Sequence, residues 1–341
     1  MIKWAGVVVL LGVSCGLIAQ APAVGGAGGA AAVQTAGRAP AVLPGRGLAQ
    51  HDFVYSGESH DRKIFIVRGG KIEWSYDDAA GKGEISDMVM LSNGNILYVH
   101  QFGVTEITPE KKVVWNYEPP AGHEIHTAVP IGKERVLYIM NGDPGAVLRV
   151  VNIVTGVIEK ELPLDVKKPV SVHGQFRHAR LTAAGTLLVA HMDLNKVVEY
   201  DWNGHELWSF PGLSVWSADP LANGNVLITD RIGVREVTRR GDTVWSWTPA
   251  DAPGYKFASL QEARRLANGD TVINNWVNEW TNNADNAPGS AQAIEVTPAK
   301  QIVWALREWS APNALGPATS IQFLDQPGTA AAEDVAFGEI R

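Results

Sequence analysis

Two stretches of the chain align without a gap: LSNGNILYVHQFGVTEITPEKKVVWNYEP at 91–119 and LANGNVLITDRIGVREVTRRGDTVWSWTP at 221–249. They share an Asn-Gly turn, a Gly-Val pair, a Glu and a closing Val-Trp. Self-similarity at a fixed period marks a repeat architecture and decides the fold class before any single element is read. A looser copy, LTAAGTLLVAHMDLNKVVEYDWNGHELWSF, occupies 181–210. Another begins LANGDTVINN at 266–275 and resumes as AIEVTPAKQIVWALREW at 293–309. Each copy breaks β-branched and aromatic segments with Asn-Gly or Lys- and Gly-rich turns, the pattern of hairpin-linked antiparallel strands. In the first copy strands are expected at Ile85–Leu91, Ile96–Gln101, Val104–Thr108 and Val113–Tyr117. Four strands in a unit of about forty residues make one blade of a β-propeller.

Working outward, the residues before each first turn are Leu91, Ile131, Leu181, Leu221, Leu266 and Leu324. The last of these ends a strand, TSIQFL, that has no hairpin partner after it. Its missing partners stand at the other end of the chain, in FVYSGES, KIFIVRG and KIEWSYD (53–77). One blade is therefore expected to be shared between the termini, which removes the open sheet edges a stack of blades would leave. The expected class is an all-β, six-bladed propeller, with seven blades as the alternative count. Its blades are 53–77 with 319–325, then 84–118, 124–163, 173–210, 213–248 and 259–309.

The chain has 341 residues, 45% hydrophobic, with 12 tryptophans, enough apolar material for a core. Residues 1–21 put one Lys ahead of an apolar run and end in Ala19-Gln20-Ala21, the pattern of an export signal cleaved after Ala21. A second reading makes Cys15 the lipid-attachment residue of a tethered lipoprotein. The run is too short for a membrane span. Residues 22–50, rich in Ala, Gly and Pro, read as a flexible spacer, 51–328 as the propeller and 329–341 as a tail. Cys15 is the only cysteine, so the domain has neither an internal disulfide nor a cysteine-based metal site or nucleophile. The formal charge is −7 with Lys and Arg scattered, which argues against nucleic acid. A periplasmic or extracellular monomer is expected.

What every blade repeats serves the architecture. The recurring tryptophans (Trp74, Trp115, Trp208, Trp245, Trp304) and Glu106, Glu199, Glu236 and Glu295 are read as inter-blade packing and turn satisfaction. Function is expected where the copies differ, at the blade entrances, because the first strand of each blade lines the central channel. Those entrances carry His123, His126, His173 and His178 in two consecutive blades, and imidazole serves as acid, base or nucleophile near neutral pH. Arg177 offers a donor fork for an anion or for sugar hydroxyls, and Glu262 an acceptor across the channel. His126, His178, Arg177 and Glu262 are the candidate catalytic set. Asp87, His123, His173, Gln175, Trp216, Asp219, Gln261 and Gln322 are the candidate ligand contacts. The insertion WVNEWTNNADNAPGSAQ at 276–292 reads as a rim or lid, and its Asp285-Asn286 matches calcium loops too weakly to imply an ion. Neither a metal nor a cofactor is expected.

The NGN-x-L strand, x-E-V, turn and V-W order resembles the quinoprotein-like propeller superfamily, and within it the arylsulfotransferase-like branch of secreted bacterial proteins. GHEIHTAVPIG (122–132), VHGQFRHARLTAAGTLLV (172–189) and LGPATSIQFLDQPG (315–328) further resemble a group of uncharacterised exported propellers from bacteria with large polysaccharide-degrading repertoires. The likeness spans 51 to about 328. It implies the propeller fold, and the arylsulfotransferase branch implies sulfate transfer through a channel histidine, here His126 or His178. The paired histidines before an Asp that open that family's blades are absent at Ser86-Asp87. Three functions follow as expectations: binding or processing of an extracellular carbohydrate or glycoside, by lyase chemistry where it is processed; sulfotransfer; or a non-catalytic protein scaffold.

Overall fold

The structure is a computed structural model that describes residues 40–58, 62–79, 81–277 and 289–325. The stretch expected to be an export signal, Cys15, most of the insertion and the expected tail lie outside them. Six four-stranded antiparallel sheets account for the described residues, together with three short 3-10 turns. Blade 1 pairs β1 (Phe53–Glu58), β2 (Arg62–Arg68) and β3 (Lys71–Asp77) with the C-terminal β24 (Ala318–Phe323), in the order β24-β1-β2-β3. Blade 2 runs from β4 (Asp87–Met90) to β7 (Val113–Tyr117) and blade 3 from β8 (Glu124–Ile131) to β11 (Ile158–Leu164). Blade 4 runs from β12 (Phe176–Leu181) to β15 (Glu206–Pro211) and blade 5 from β16 (Ser217–Pro220) to β19 (Thr243–Trp247). Blade 6 begins with β20 (Ser259–Arg265) and β21 (Thr271–Trp276) and ends with β22 (Ala293–Val296) and β23 (Ile302–Leu306).

The termini meet as expected: Phe53 pairs with Phe323 and Tyr55 with Ile321. Closure is equally visible in the packing, because each of six apolar clusters is built from two adjacent blades. Val54 and Ile64 of blade 1 pack with Ile85 and Tyr98 of blade 2. At the seam, Trp304 and Leu306 of blade 6 pack with Phe53, Tyr55 and Ile321 of blade 1. Second strands are covered on both faces and read as continuous apolar runs, whereas outer strands such as KIEWSYD alternate exposed and half-buried residues.

The repeated residues hold blade to blade. Trp74, Trp208 and Trp245 donate their indole N–H to the carbonyls of Pro109, Arg239 and Pro298 in the following blade, at 2.7, 3.1 and 2.9 Å. Trp304 donates to Gly47 ahead of blade 1. The glutamates pin the first turn of their own blade: Glu106 accepts from Asn95, Glu199 from Thr186, and Glu236 from Asn223 and Asn225. The spacer expected over 22–50 needs one correction. Leu43 and Leu48 pack on blade 5–6 and blade 6–1 clusters, and Pro44 accepts from Ala305, so this segment joins the domain before residue 50. Among the described residues no helix is long and apolar enough to cross a membrane.

Candidate ligand site in the central channel

The inner strands β4, β8, β12, β16, β20 and β24 neighbour one another in a ring. Every blade enters that ring with the same pattern, an apolar residue, two polar or aromatic residues and a second apolar one. The stretches are Ile85-Ser86-Asp87-Met88, Ile125-His126-Thr127-Ala128, Phe176-Arg177-His178-Ala179, Val215-Trp216-Ser217-Ala218, Leu260-Gln261-Glu262-Ala263 and Ala318-Thr319-Ser320-Ile321. The flanking residues belong to the inter-blade cores. In β8, β12 and β20 the two middle residues face a single residue of the next strand, which is a β-bulge, and β24 carries one at Thr319. A bulge inserts an unpaired residue and re-aims side chains. Strict alternation would send Arg177 and His178 to opposite faces, yet both are buried.

The deeper members form a charged floor. Arg180 donates to Asp87 at 2.9 and 3.1 Å and to Glu262 at 3.0 Å, and its Nε lies 3.5 Å from Asp219. Arg264 also reaches Glu262, at 3.0 Å, and Ser320 donates to that carboxylate at 3.2 Å. Thr127 donates to Asp87 at 2.7 Å. Burial works against the charge on Glu262, but the guanidinium groups of Arg264 and Arg180 outweigh it and hold the carboxyl at about 2. His178 Nε2 lies 2.8 Å from the Ser86 carbonyl, to which it can only donate, so Nδ1 faces Arg180 as the acceptor at 3.4 Å. Burial, then the charge of Arg180, lowers its basicity and keeps it neutral.

Nearer the entrance a second cluster forms. His126 lies between two carboxylates, with Nδ1 2.9 Å from Glu84 Oε1 and Nε2 2.9 Å from Glu124 Oε2. Ser86 Oγ stands 3.3 Å from the same Nδ1. Glu124 Oε2 also meets His173 Nδ1 at 2.8 Å, while His173 Nε2 lies 3.1 Å from Arg177. Burial opposes ionisation of Glu84 and Glu124, yet the neighbouring imidazoles, with Arg177's charge at Glu84, depress both carboxyls. Arg177 donates to the His173 carbonyl at 2.6 Å and stacks 4.8 Å from the Trp216 ring, which lies 6.0 Å from Trp276. His173 is 54% exposed at the side chain, so this cluster meets solvent, whereas the carboxylates of the floor are buried.

The structure therefore divides the sequence-derived set. His126, Arg177, His173 and Trp216 converge at the entrance; His178, Glu262, Asp87 and Asp219 belong to the floor. Gln261 is buried in the ring of entrance residues. Gln175 lies apart, bonded to both backbone groups of Gly142 and to Pro169. Gln322 bridges to the backbone of Met90, and His123 approaches Ala121. Glu84, Glu124 and Arg180 were not selected from sequence, although Glu84 opens the blade 2 entrance, Glu124 stands between His123 and His126, and Arg180 stands two residues after His178.

No protein-family model and no curated protein matches the chain. Solved propellers do. A protein of unknown function from Bacteroides caccae superposes with a TM-score of 0.68 at 23% identity, covering 80% of this chain and 97% of that one. A streptogramin B lyase follows at 0.52 and 11% identity, covering 86% and 94%. Catalytically inactive virginiamycin B lyase from Staphylococcus aureus, with quinupristin, gives 0.53 and 13% identity over 84% and 97%. At these identities the likeness establishes the propeller fold; the narrower arylsulfotransferase-like grouping gains no support from it.

Proposed function

We propose that this chain is an exported propeller that binds a carbohydrate or glycoside at the entrance of its central channel. One arrangement carries the reading: the partly exposed Trp216 ring lies beside Trp276 and over Arg177, which in turn holds the exposed His173 and, through it, Glu124. An apolar face flanked by a few fixed polar groups is the usual make-up of a small-molecule site. Trp276 adds a buried indole N–H that has no acceptor among the described residues. The floor beneath is internally paired, so a ligand rests on the channel rather than passing through it. Likeness to lyases at 11–13% identity supplies no reaction.

Sulfotransfer is less favoured, because it needs a histidine nitrogen that can attack sulfur. His126 is buried between two carboxylates, whose charge repels an anionic sulfate donor, and His178 is buried with Nε2 committed to Ser86. The test is a thermal-shift screen of neutral and acidic mono- and oligosaccharides against the wild type and Trp216→Ala. A ligand at a hundred times its dissociation constant adds about 2.7 kcal/mol, or roughly 5 °C for a domain of this size. A shift that Trp216→Ala abolishes supports the reading. No shift with any sugar, with a protein partner captured equally by both forms, would leave the scaffold function instead.

A further inference from the structure

Glu124 Oε2 faces two imidazole nitrogens at once, His126 Nε2 at 2.9 Å and His173 Nδ1 at 2.8 Å. A carboxylate oxygen only accepts, so both nitrogens donate to it. For His173 the other nitrogen is fixed as well. A guanidinium only donates, and Arg177 lies 3.1 Å from Nε2, which must therefore present its lone pair. In its neutral form His126 presents its lone pair at Nδ1, on the side of Glu84. Glu84 Oε1 is buried and 2.9 Å from that nitrogen, but no donor among the described residues is aligned with it. One donor atom from each of Glu84, His126 and His173 thus gathers within 4.8 Å of the others. The three residues come from the entrances of blades 2, 3 and 4.

We infer that Glu84 Oε1, His126 Nδ1 and His173 Nε2 form a binding site for a divalent first-row transition-metal ion, zinc foremost. Two imidazoles and a carboxylate suit such an ion, whereas calcium and magnesium demand oxygen ligands. Ligand atoms at about 2.1 Å around a tetrahedral ion stand about 3.4 Å apart. Closure from separations of up to 4.8 Å therefore asks for a movement of at most about 1.4 Å, which the exposed His173 can make. Glu124, holding the remote N–H of both rings, is the kind of outer carboxylate that orients metal-binding histidines. The sequence offered no such site because its donors are spread over 90 positions and Glu84 sits in no recognisable ligand spacing.

Arg177 is the competing cation. Its NH2 group lies 3.1 Å from His173 Nε2 and 3.9 Å from Glu84 Oε1. A bound ion takes over both acceptors, while Arg177 keeps the His173 carbonyl and the Trp216 ring. This inference goes beyond the carbohydrate reading and stands without it. The test is titration of the EDTA-stripped full chain with Zn2+ by calorimetry, and with Co2+ by visible absorption, using no sugar. One equivalent is expected to bind. His173→Gln and Glu84→Gln lower the affinity at least about tenfold, Glu124→Gln about 10–100-fold, and Arg177→Met raises it. His205→Gln, at a surface pair with Asp201, leaves it unchanged. Because His173 is exposed, its variant tests the site even where Glu84→Gln fails to fold. No saturable binding by the wild type, equal binding by His173→Gln, or weaker binding by folded Arg177→Met overturns the proposal.

Discussion

Replacing Arg180 by Met removes the cation on which the channel floor converges. Arg180 meets Asp87 at 2.9 Å, Glu262 at 3.0 Å and Asp219 at 3.5 Å, and all three carboxylates are at least 98% buried. Breaking a buried ion pair from one side costs about 3–5 kcal/mol, because the remaining charge stays desolvated. Arg264 and Ser320 still reach Glu262, and Thr127 still reaches Asp87, so the low end of about 3 kcal/mol applies. At roughly 2 °C per kcal/mol for a large domain, the melting temperature falls by about 6 °C at pH 7. The sign with pH is also determined. Glu262 is depressed in the folded wild type, so its pairing stabilises above the unfolded carboxyl value and is lost only as the pH falls through about 2. Without Arg180, burial meets less opposition, the carboxyls rise, and protonation on acidification relieves the variant. The gap between the two proteins therefore narrows from pH 7 to pH 5, and Arg180→Met/Glu262→Gln recovers part of the loss. Urea unfolding of both proteins at the two pH values measures it. A gap under about 1 kcal/mol at pH 7, or one that widens on acidification, refutes the floor as an ion-paired unit.

Two further substitutions probe the seam. His51, buried between Glu295 at 3.1 Å and Asp325 at 3.3 Å, is disfavoured as a cation by burial, yet the two carboxylates raise its basicity overall. Its contribution is thus complete below the unfolded histidine value of about 6.5 and is lost as the pH rises through the higher folded value; His51→Gln should be less stable than wild type at pH 6, with the difference shrinking by pH 9 in thermal melts. Gly57 lies at the bulge between β1 and β24, where an added Cβ would come 1.8 Å from the Leu315 carbonyl oxygen. Gly57→Ala should cost about 3 kcal/mol in denaturant unfolding, and a change under about 0.5 kcal/mol would show that the seam has another path.

Propeller class, blade number and shared blade were legible because they rest on local signals that every copy repeats. Asn-Gly turns set the hairpins, apolar runs mark second strands, and a strand without a partner at one end answers a blade short of one at the other. The site was legible in part. His126, Arg177, His173 and Trp216 were found because they differ between copies. Glu84 and Glu124 were passed over because a carboxylate beside a turn looks like solvated surface until its partner is placed. Arg180 was passed over for another reason: period-two reading has no means of following a chain through a bulge. The signal that marks those bulges is nonetheless in the sequence, in six entrances with two variable residues between apolar ones.

That entrance pattern separates what the ring needs from what the site uses. The flanking residues, such as Ile125 and Ala128 or Phe176 and Ala179, are held by the inter-blade cores and fix where each bulge falls. The pair between them contributes little to those cores, so its identity can vary from blade to blade without disturbing closure. Blades 1, 5 and 6 place Thr-Ser, Trp-Ser and Gln-Glu there, the last of which joins the floor, whereas blades 2, 3 and 4 bring Asp, His, Arg and His, with Glu84 and Glu124 just ahead. The channel is consequently lopsided, and its titratable groups near the entrance crowd into one sector. Buried charge costs folding energy unless it is paired, and a ring held by apolar clusters does not need it. The floor resolves that cost internally through Arg180. The entrance cluster does so only in part, since Glu84 Oε1 accepts no aligned hydrogen bond among the described residues and His173 stands open to solvent. A solvent-facing cluster that still offers unused acceptors is where a ligand or ion gains most by binding, and on that physical ground the entrance, rather than the buried floor, is the place to look for chemistry.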